Sequence, residues 1–401
     1  MNVTFLKMTG LVLFITIFSF HLQSQDTLKT FIFGHSLIHH EYQVNPTPSQ
    51  ETSVPHWFHF LAREAGRDYA VSGQYGFLIT HANNLPPFAQ WGFDSVAGAW
   101  DSDLHPFSFV DFDNILITPG NFMQWQPPGE NYPNEELSPV SATNIVFDWV
   151  NQQEDQINFY VYENWPDMAP FLASGFPPSQ SEWNGYNDYL NGDFHDWFLE
   201  YHDALITGNP DNCVSMIPVG PVLSSLFSLS PFDEIPVDVL YEDDAPHGRP
   251  TVYFLAALVT YMAMYEEPAQ LNFEVPGIID PIVAENYSAA VNNIWNALQE
   301  FVDDEGNTRV FCGSPSVSTD NATGLNSSLK VFPNPTSGKI DILGVEAFDQ
   351  IELFDITGKK ILQLNPGNDE TDLENLANGL YFVKANNLLT GSSRCVKLIK
   401  Q

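Results

Sequence analysis

Thr30-Phe31-Ile32-Phe33-Gly34-His35-Ser36-Leu37 is a short apolar run that stops at a glycine and delivers a histidine and a serine. Four consecutive large or β-branched residues suit a strand buried on both faces, as in a parallel sheet. Working outward, the same grammar repeats. Pro55 to Gly66 has helical apolar spacing closed by Gly66, Tyr69 to Ser72 is the next strand, and Asn114 to Thr118 is a third, ending in Pro119-Gly120-Asn121. A helix near Ser141 to Asn151, a strand Ile157 to Tyr162, a helix His195 to Ile206 and a strand Cys213 to Pro218 follow. Thr251 to Tyr265, with Pro250 in its first turn, and Ala284 to Phe301 read as closing helices. Strands alternating with helices predict a three-layer α/β/α domain on a parallel sheet, whose functional groups gather at the carboxyl ends of the strands.

The ends of the chain differ from this pattern. Within residues 1–24, Lys7, the apolar run Leu11 to Phe20 and the small polar end at Ser24 have the layout of a secretory signal, too short for a membrane span of about 20 residues. Residues 312–328 are rich in Ser, Thr, Asn and Gly and read as a linker after a main domain at 26–311. Residues 329–401 hold short alternating runs separated by turn residues, the pattern of a small β-sandwich.

Of 401 residues, 50 are Asp or Glu and 14 Lys or Arg, a formal charge of −36 that disfavours nucleic acid and anionic membranes. Cys213, Cys312 and Cys395 are widely spaced, without a zinc pattern, and allow at most one disulfide. His35 and His39 could share a helix face as metal ligands, but no third ligand follows at diagnostic spacing; Tyr241 to Asp244 lacks the alternating oxygen ligands of a calcium loop. The expectation is no metal and no cofactor. The tryptophans of the long loops are expected mainly in the core, with Trp125 and Trp165 as candidates to line a cleft.

Four loop segments converge at the strand ends: Gly34-His35-Ser36-Leu37, Gly73 to Gly76, Gly120-Asn121 and Asp244-Ala245-Pro246-His247. A serine becomes a nucleophile when an imidazole takes its proton, and a carboxylate on the other ring nitrogen stabilises the imidazolium. Ser36, His247 and Asp244 are the candidates, with the Ser36 and Gly76 N–H groups and the Asn121 amide as oxyanion donors. Gly73 fits the second block as well. Taken alone, a serine after a glycine at a strand end is more often a helix cap than a nucleophile, and Asp244 with His247 can be a polar turn before a helix.

This ordered set resembles the SGNH/GDSL hydrolase superfamily, in a poorly characterised branch, over Phe31 to about Pro268. The resemblance implies a flavodoxin-like fold and ester cleavage through an acyl-enzyme. Two departures stand out: His35 occupies the place of the Asp in Gly-Asp-Ser-Leu, and Phe122 follows Asn121 where many relatives have Asp. A carbohydrate O-acetyl or O-acyl esterase is the favoured reading; a lipase or phospholipase, and a non-catalytic glycan-binding surface protein motivated by His35, are the alternatives. In the tail, Val331-Phe332-Pro333-Asn334-Pro335-Thr336-Ser337-Gly338, Leu353 to Lys359, Leu376 to Val383 and the basic Lys397-Leu398-Ile399-Lys400 resemble the type A C-terminal sorting domain of the Bacteroidetes type IX secretion system. That implies export across the outer membrane, with the secretion machinery as partner and an acylated polysaccharide or small molecule as substrate outside the cell. A glycan-binding or adhesive module is the bland alternative for the tail.

Overall fold

The computed structural model describes residues 27–40, 50–120, 126–154, 157–312, 330–332, 336–343, 348–355, 359–364, 371–373, 375–386 and 393–400. The expected signal segment, residues 313–328 of the linker, Asn121, Phe122 and Trp125 lie outside them. The chain divides into two compact units, Met1–Gly313 and Ser314–Gln401.

The first unit is built on strands β1 (Leu28–Gly34), β2 (Tyr69–Tyr75), β3 (Ala97–Gly98), β4 (Asn114–Ile117), β5 (Asn158–Tyr162) and β6 (Cys213–Ile217). They form one all-parallel sheet in the order β3-β2-β1-β4-β5-β6. Without the two-residue edge strand β3, the five long strands follow the flavodoxin-type order, and the chain reverses its direction of travel between β1 and β4. The crevice at the carboxyl ends of these two strands is where such sheets present their chemistry.

Alternate strand residues feed two cores. Ile32, Leu116, Tyr160 and Tyr162 enter one, with helices α1 (Val54–Glu64), α6 (Val219–Leu226), α8 (Pro250–Tyr265) and α10 (Tyr287–Glu300). Phe31, Phe33, Ile115, Ile117, Phe159 and Val161 enter the other, with α3 (Pro139–Asn151) and α5 (His195–Gly208). Helices α2 (Leu78–Asn83), α4 (Gln180–Tyr189), α7 (Val237–Leu240) and α9 (Pro281–Glu285) complete the set. Pro250 to Met264 of α8 are all buried, as an apolar surface around the whole helix demands. Ser138 caps α3 in a reciprocal box with Ser141, so that helix begins at Pro139, before the expected Ser141. A disulfide joins Cys213, at the start of β6, to Cys312, with Cα atoms 5.6 Å apart.

The second unit is antiparallel. Strands β7 (Lys330–Phe332), β8 (Lys339–Leu343) and β11 (Thr371–Asp372) make one sheet, and β9 (Gln350–Asp355), β10 (Lys360–Leu364), β12 (Gly379–Asn386) and β13 (Ser393–Lys400) the other. Val331, Ile340, Leu353, Val383 and Leu398 share their core. No helix among the described residues is long and apolar enough to cross a membrane.

Candidate active site

β1 ends at Gly34, and the chain turns at once: the Ile38 and His39 amides donate to the His35 carbonyl at 2.9 and 3.3 Å. This turn lifts Ser36 out of the sheet at the β1/β4 crevice, and Tyr253 of α8 fixes it by donating its hydroxyl to the Ser36 carbonyl at 2.6 Å. Ser36 Oγ lies 3.0 Å from His247 Nε2, across 211 residues of sequence. His247 Nδ1 lies 2.8 Å from a carboxylate oxygen. Because a carboxylate only accepts, the proton is assigned to Nδ1, which leaves Nε2 to accept from the serine hydroxyl.

That carboxylate belongs to Asp243, whereas Asp244 was expected. Asp243 Oδ1 accepts the Ala245 and His247 amides at 3.1 and 3.0 Å, closing a turn that folds its side chain back onto the ring. Asp244 instead offers its backbone carbonyl to the Met168 and Ala169 amides, both at 3.0 Å, anchoring the loop to the segment after β5. The Tyr241–Gly248 bridge and the Glu242 N–H to His247 carbonyl bond (2.8 Å) close residues 241–248 into a small hairpin. Burial pushes the Asp243 carboxyl up, but the His247 ring and backbone N–H bonds outweigh it and hold the pKa below the usual value.

The expected oxyanion donors part company. Ser36 N–H makes no hydrogen bond among the described residues and is free to receive a ligand. Gly76 N–H is committed to the Gly34 carbonyl at 2.8 Å, tying the ends of β1 and β2 together, so it is not an open donor. Gly73 sits inside β2 opposite Ile32; a Cβ there would stand 2.5 Å from Trp91, which identifies the glycine as room for that ring. Asn121 lies outside the described residues.

Imidazoles surround the pair. His40 stacks on His247 with ring centroids 3.8 Å apart and planes inclined by 13°. His35 is completely buried, and burial, aided by the neighbouring His81 and His247, lowers its pKa to about 3. Burial likewise brings His40 and His81 to about 4, so all three rings are neutral at pH 7. His35 therefore supplies no charge beside Ser36. Sequence reading considered His35 and His39 as possible metal ligands; nothing in the spacing of these histidines announced the stack of His40 on His247. Among the described residues no group of three potential ligands is placed to hold a metal ion. Trp165 is buried and gives its indole N–H to the Pro246 carbonyl at 2.8 Å, so it braces the hairpin and lines no cleft.

At the carboxyl end of β5, Glu163 is fully buried against His195 Nδ1 at 2.7 Å. Burial raises its pKa to about 7, partly restrained by the imidazole.

Among solved structures, a DUF4886 family protein from Bacteroides uniformis is 15% identical, with 68% of this chain and 95% of that one covered and a TM-score of 0.41. A GDSL-like lipase candidate from Parabacteroides merdae is 12% identical, with 59% and 94% covered and a TM-score of 0.34. PorZ, a surface component of the type-IX secretion system of Porphyromonas gingivalis, is 22% identical over 20% of this chain, which spans 13% of PorZ, with a TM-score of 0.17. A search of curated proteins by sequence finds no match. The family profile of the secretion system C-terminal sorting domain matches residues 330–401. The tail of this chain is therefore a secretion system C-terminal sorting domain, the mark of export by the type IX route to the cell surface or the medium.

Proposed function

We propose that the α/β unit is a secreted serine ester hydrolase of SGNH type. The observation that carries this reading is the unbroken relay Ser36 Oγ, His247 Nε2, His247 Nδ1, Asp243, with steps of 3.0 and 2.8 Å, at the switch point of a parallel sheet. Ser36 Oγ attacks the ester carbonyl carbon while its proton passes to His247 Nε2, and Asp243 stabilises the imidazolium. The Ser36 N–H receives the oxyanion, with the Asn121 amide as second donor. Collapse breaks the acyl carbon–oxygen bond, and His247 returns the proton to the departing alkoxide. Water, activated by the now neutral His247, attacks the acyl-enzyme; the carboxylic acid leaves and Ser36 recovers its proton.

An exported hydrolase meets polymers outside the cell, and a carbohydrate O-acetyl or O-acyl esterase is the substrate reading we favour, ahead of a lipase or phospholipase. Purified protein assayed on 4-nitrophenyl acetate is expected to turn over, with Ser36→Ala at background. Equal rates for both would refute the enzyme and leave the non-catalytic glycan binder. A preference for 4-nitrophenyl laurate over the acetate would favour the lipase.

A further inference from the structure

A cleft of about 910 Å³ opens between helix α4 and the segment Phe227–Asp238. One wall is the row Gln180, Asn184, Asn187 and Asn191, which returns every three or four residues and so shares one face of the chain. These amides are set by each other and by the backbone. Gln180 Nε2 donates to Asn184 Oδ1 at 2.9 Å, Asn187 Nδ2 to the Trp183 carbonyl at 2.8 Å, and Asn187 Oδ1 accepts the Ser224 hydroxyl at 2.6 Å. Asn191 Nδ2 donates to both the Asn187 carbonyl and Ser224 Oγ. Asn184 Nδ2 and Asn191 Oδ1 are left without a protein partner among the described residues. The opposite wall carries Asp233, Glu234 and Asp238, Trp183 adds an aromatic surface, and none of the lining side chains is basic.

Fixed amides and carboxylates beside an indole match a ligand dense in hydroxyl groups, with donors and acceptors on one side of each ring and C–H bonds on the other. Asp233, Glu234 and Asp238 together with Asp188 make four carboxylates with no cation among them, which repel an anionic ligand. We propose that this cleft binds an uncharged polysaccharide. The wall segment ending at Asp238 runs on directly into the hairpin of His247. Asp238 takes the Arg249 guanidinium on its carbonyl at 3.0 Å, and the Tyr241 amide donates to the Val237 carbonyl at 2.8 Å. Trp183 packs near Tyr241, Tyr241 near Trp165, and Trp165 holds the Pro246 carbonyl. The cleft thus borders the elements that hold the base. That the bound glycan is also the acylated substrate rests on the hydrolase reading; the binding itself does not.

The test uses the full mature chain carrying Ser36→Ala, probed on a microarray of neutral, uronic-acid and amino polysaccharides. Neutral glycans are expected to bind, with affinity reduced at least tenfold by Asn184→Ala and by Asn191→Ala, both of which leave 4-nitrophenyl acetate hydrolysis intact in the Ser36 background. Absence of any neutral glycan signal, a preference for charged glycans, or binding unchanged in both variants would overturn the proposal. Absence of nitrophenyl ester turnover in the native chain, with glycan binding retained, would count against the hydrolase alone.

Discussion

The imidazole of His40 lies face to face with that of His247, 3.8 Å away and nearly parallel. His40 is neutral at pH 7, so its ring face would attract the positive charge that His247 acquires in the proposed acyl transfer. Replacing His40 with Ala should lower kcat by about five- to thirtyfold, equivalent to about 1–2 kcal/mol. Phe keeps the ring and should recover most of that loss. Steady-state rates on 4-nitrophenyl acetate decide, and an unaltered kcat in His40→Ala would remove His40 from the mechanism.

Asp243 and Asp244 are adjacent but do different work. Asp243→Asn should cost about 10²–10⁴ in kcat, because the amide no longer stabilises the imidazolium or enforces its tautomer. Asp244 holds its neighbours only through its carbonyl oxygen, so Asp244→Asn should stay within about threefold of the native rate. Equal losses in the two variants would show that the hairpin tolerates no change there and would undo the assignment.

Acid should unfold the α/β unit early. Burial lowers His35 to about 3 and His39, His81 and His202 to about 4, against 6.5 for an ordinary imidazole. The unfolded chain takes up protons below pH 6.5 that the fold refuses until about 4, so stability is complete above 6.5 and is lost as the pH falls toward 4. Glu163 acts in the opposite sense. Its pKa, raised to about 7 by burial, favours the fold at low pH and loses that contribution as pH rises from 4.5 through 7. Four imidazoles outweigh one carboxyl, and Tm should drop by on the order of 10 °C between pH 7 and 5. A flat calorimetric profile over that range would contradict the buried neutral histidines.

The disulfide closes a loop with a sequence separation of 99 residues. Chain-entropy reasoning assigns about 4–5 kcal/mol to a closure of that length. Thermal melts of native protein with and without reductant, and of Cys312→Ser, should differ correspondingly; coincident melts would show the bridge to be dispensable.

Removing residues 314–401 separates address from chemistry. The shortened chain should be retained by cells yet hydrolyse 4-nitrophenyl acetate at the native rate once purified. Appearance of the shortened chain at the cell surface would show a second export signal.

Sequence reading recovered β1, β2, β4, β5 and β6 to within a few residues because doubly buried strands are continuous apolar runs, as at Asn114–Ile117. Helix α8 was equally plain, since this helix, buried almost throughout, carries no charged residue to confuse it. Helix α4 was missed: only Tyr186 of its residues is buried, so it has little apolar periodicity to read. Motif order pointed to Ser36 and His247, which the structure brings within 3.0 Å, whereas the placing of Asp243 rather than Asp244 on the ring depends on which carboxylate closes a turn onto the backbone. A one-residue difference of that kind is decided by loop geometry, which residue spacing does not encode.

Asp243 and His247 sit on one eight-residue hairpin closed by the Tyr241–Gly248 bridge. The carboxylate and imidazole of the proposed relay are therefore set by one local turn, and the rest of the chain has only to hold that turn against Ser36. Insertions between β2 and the hairpin can lengthen or reshape the surrounding loops without uncoupling the two, which leaves those loops open to diversification while the proton relay stays whole.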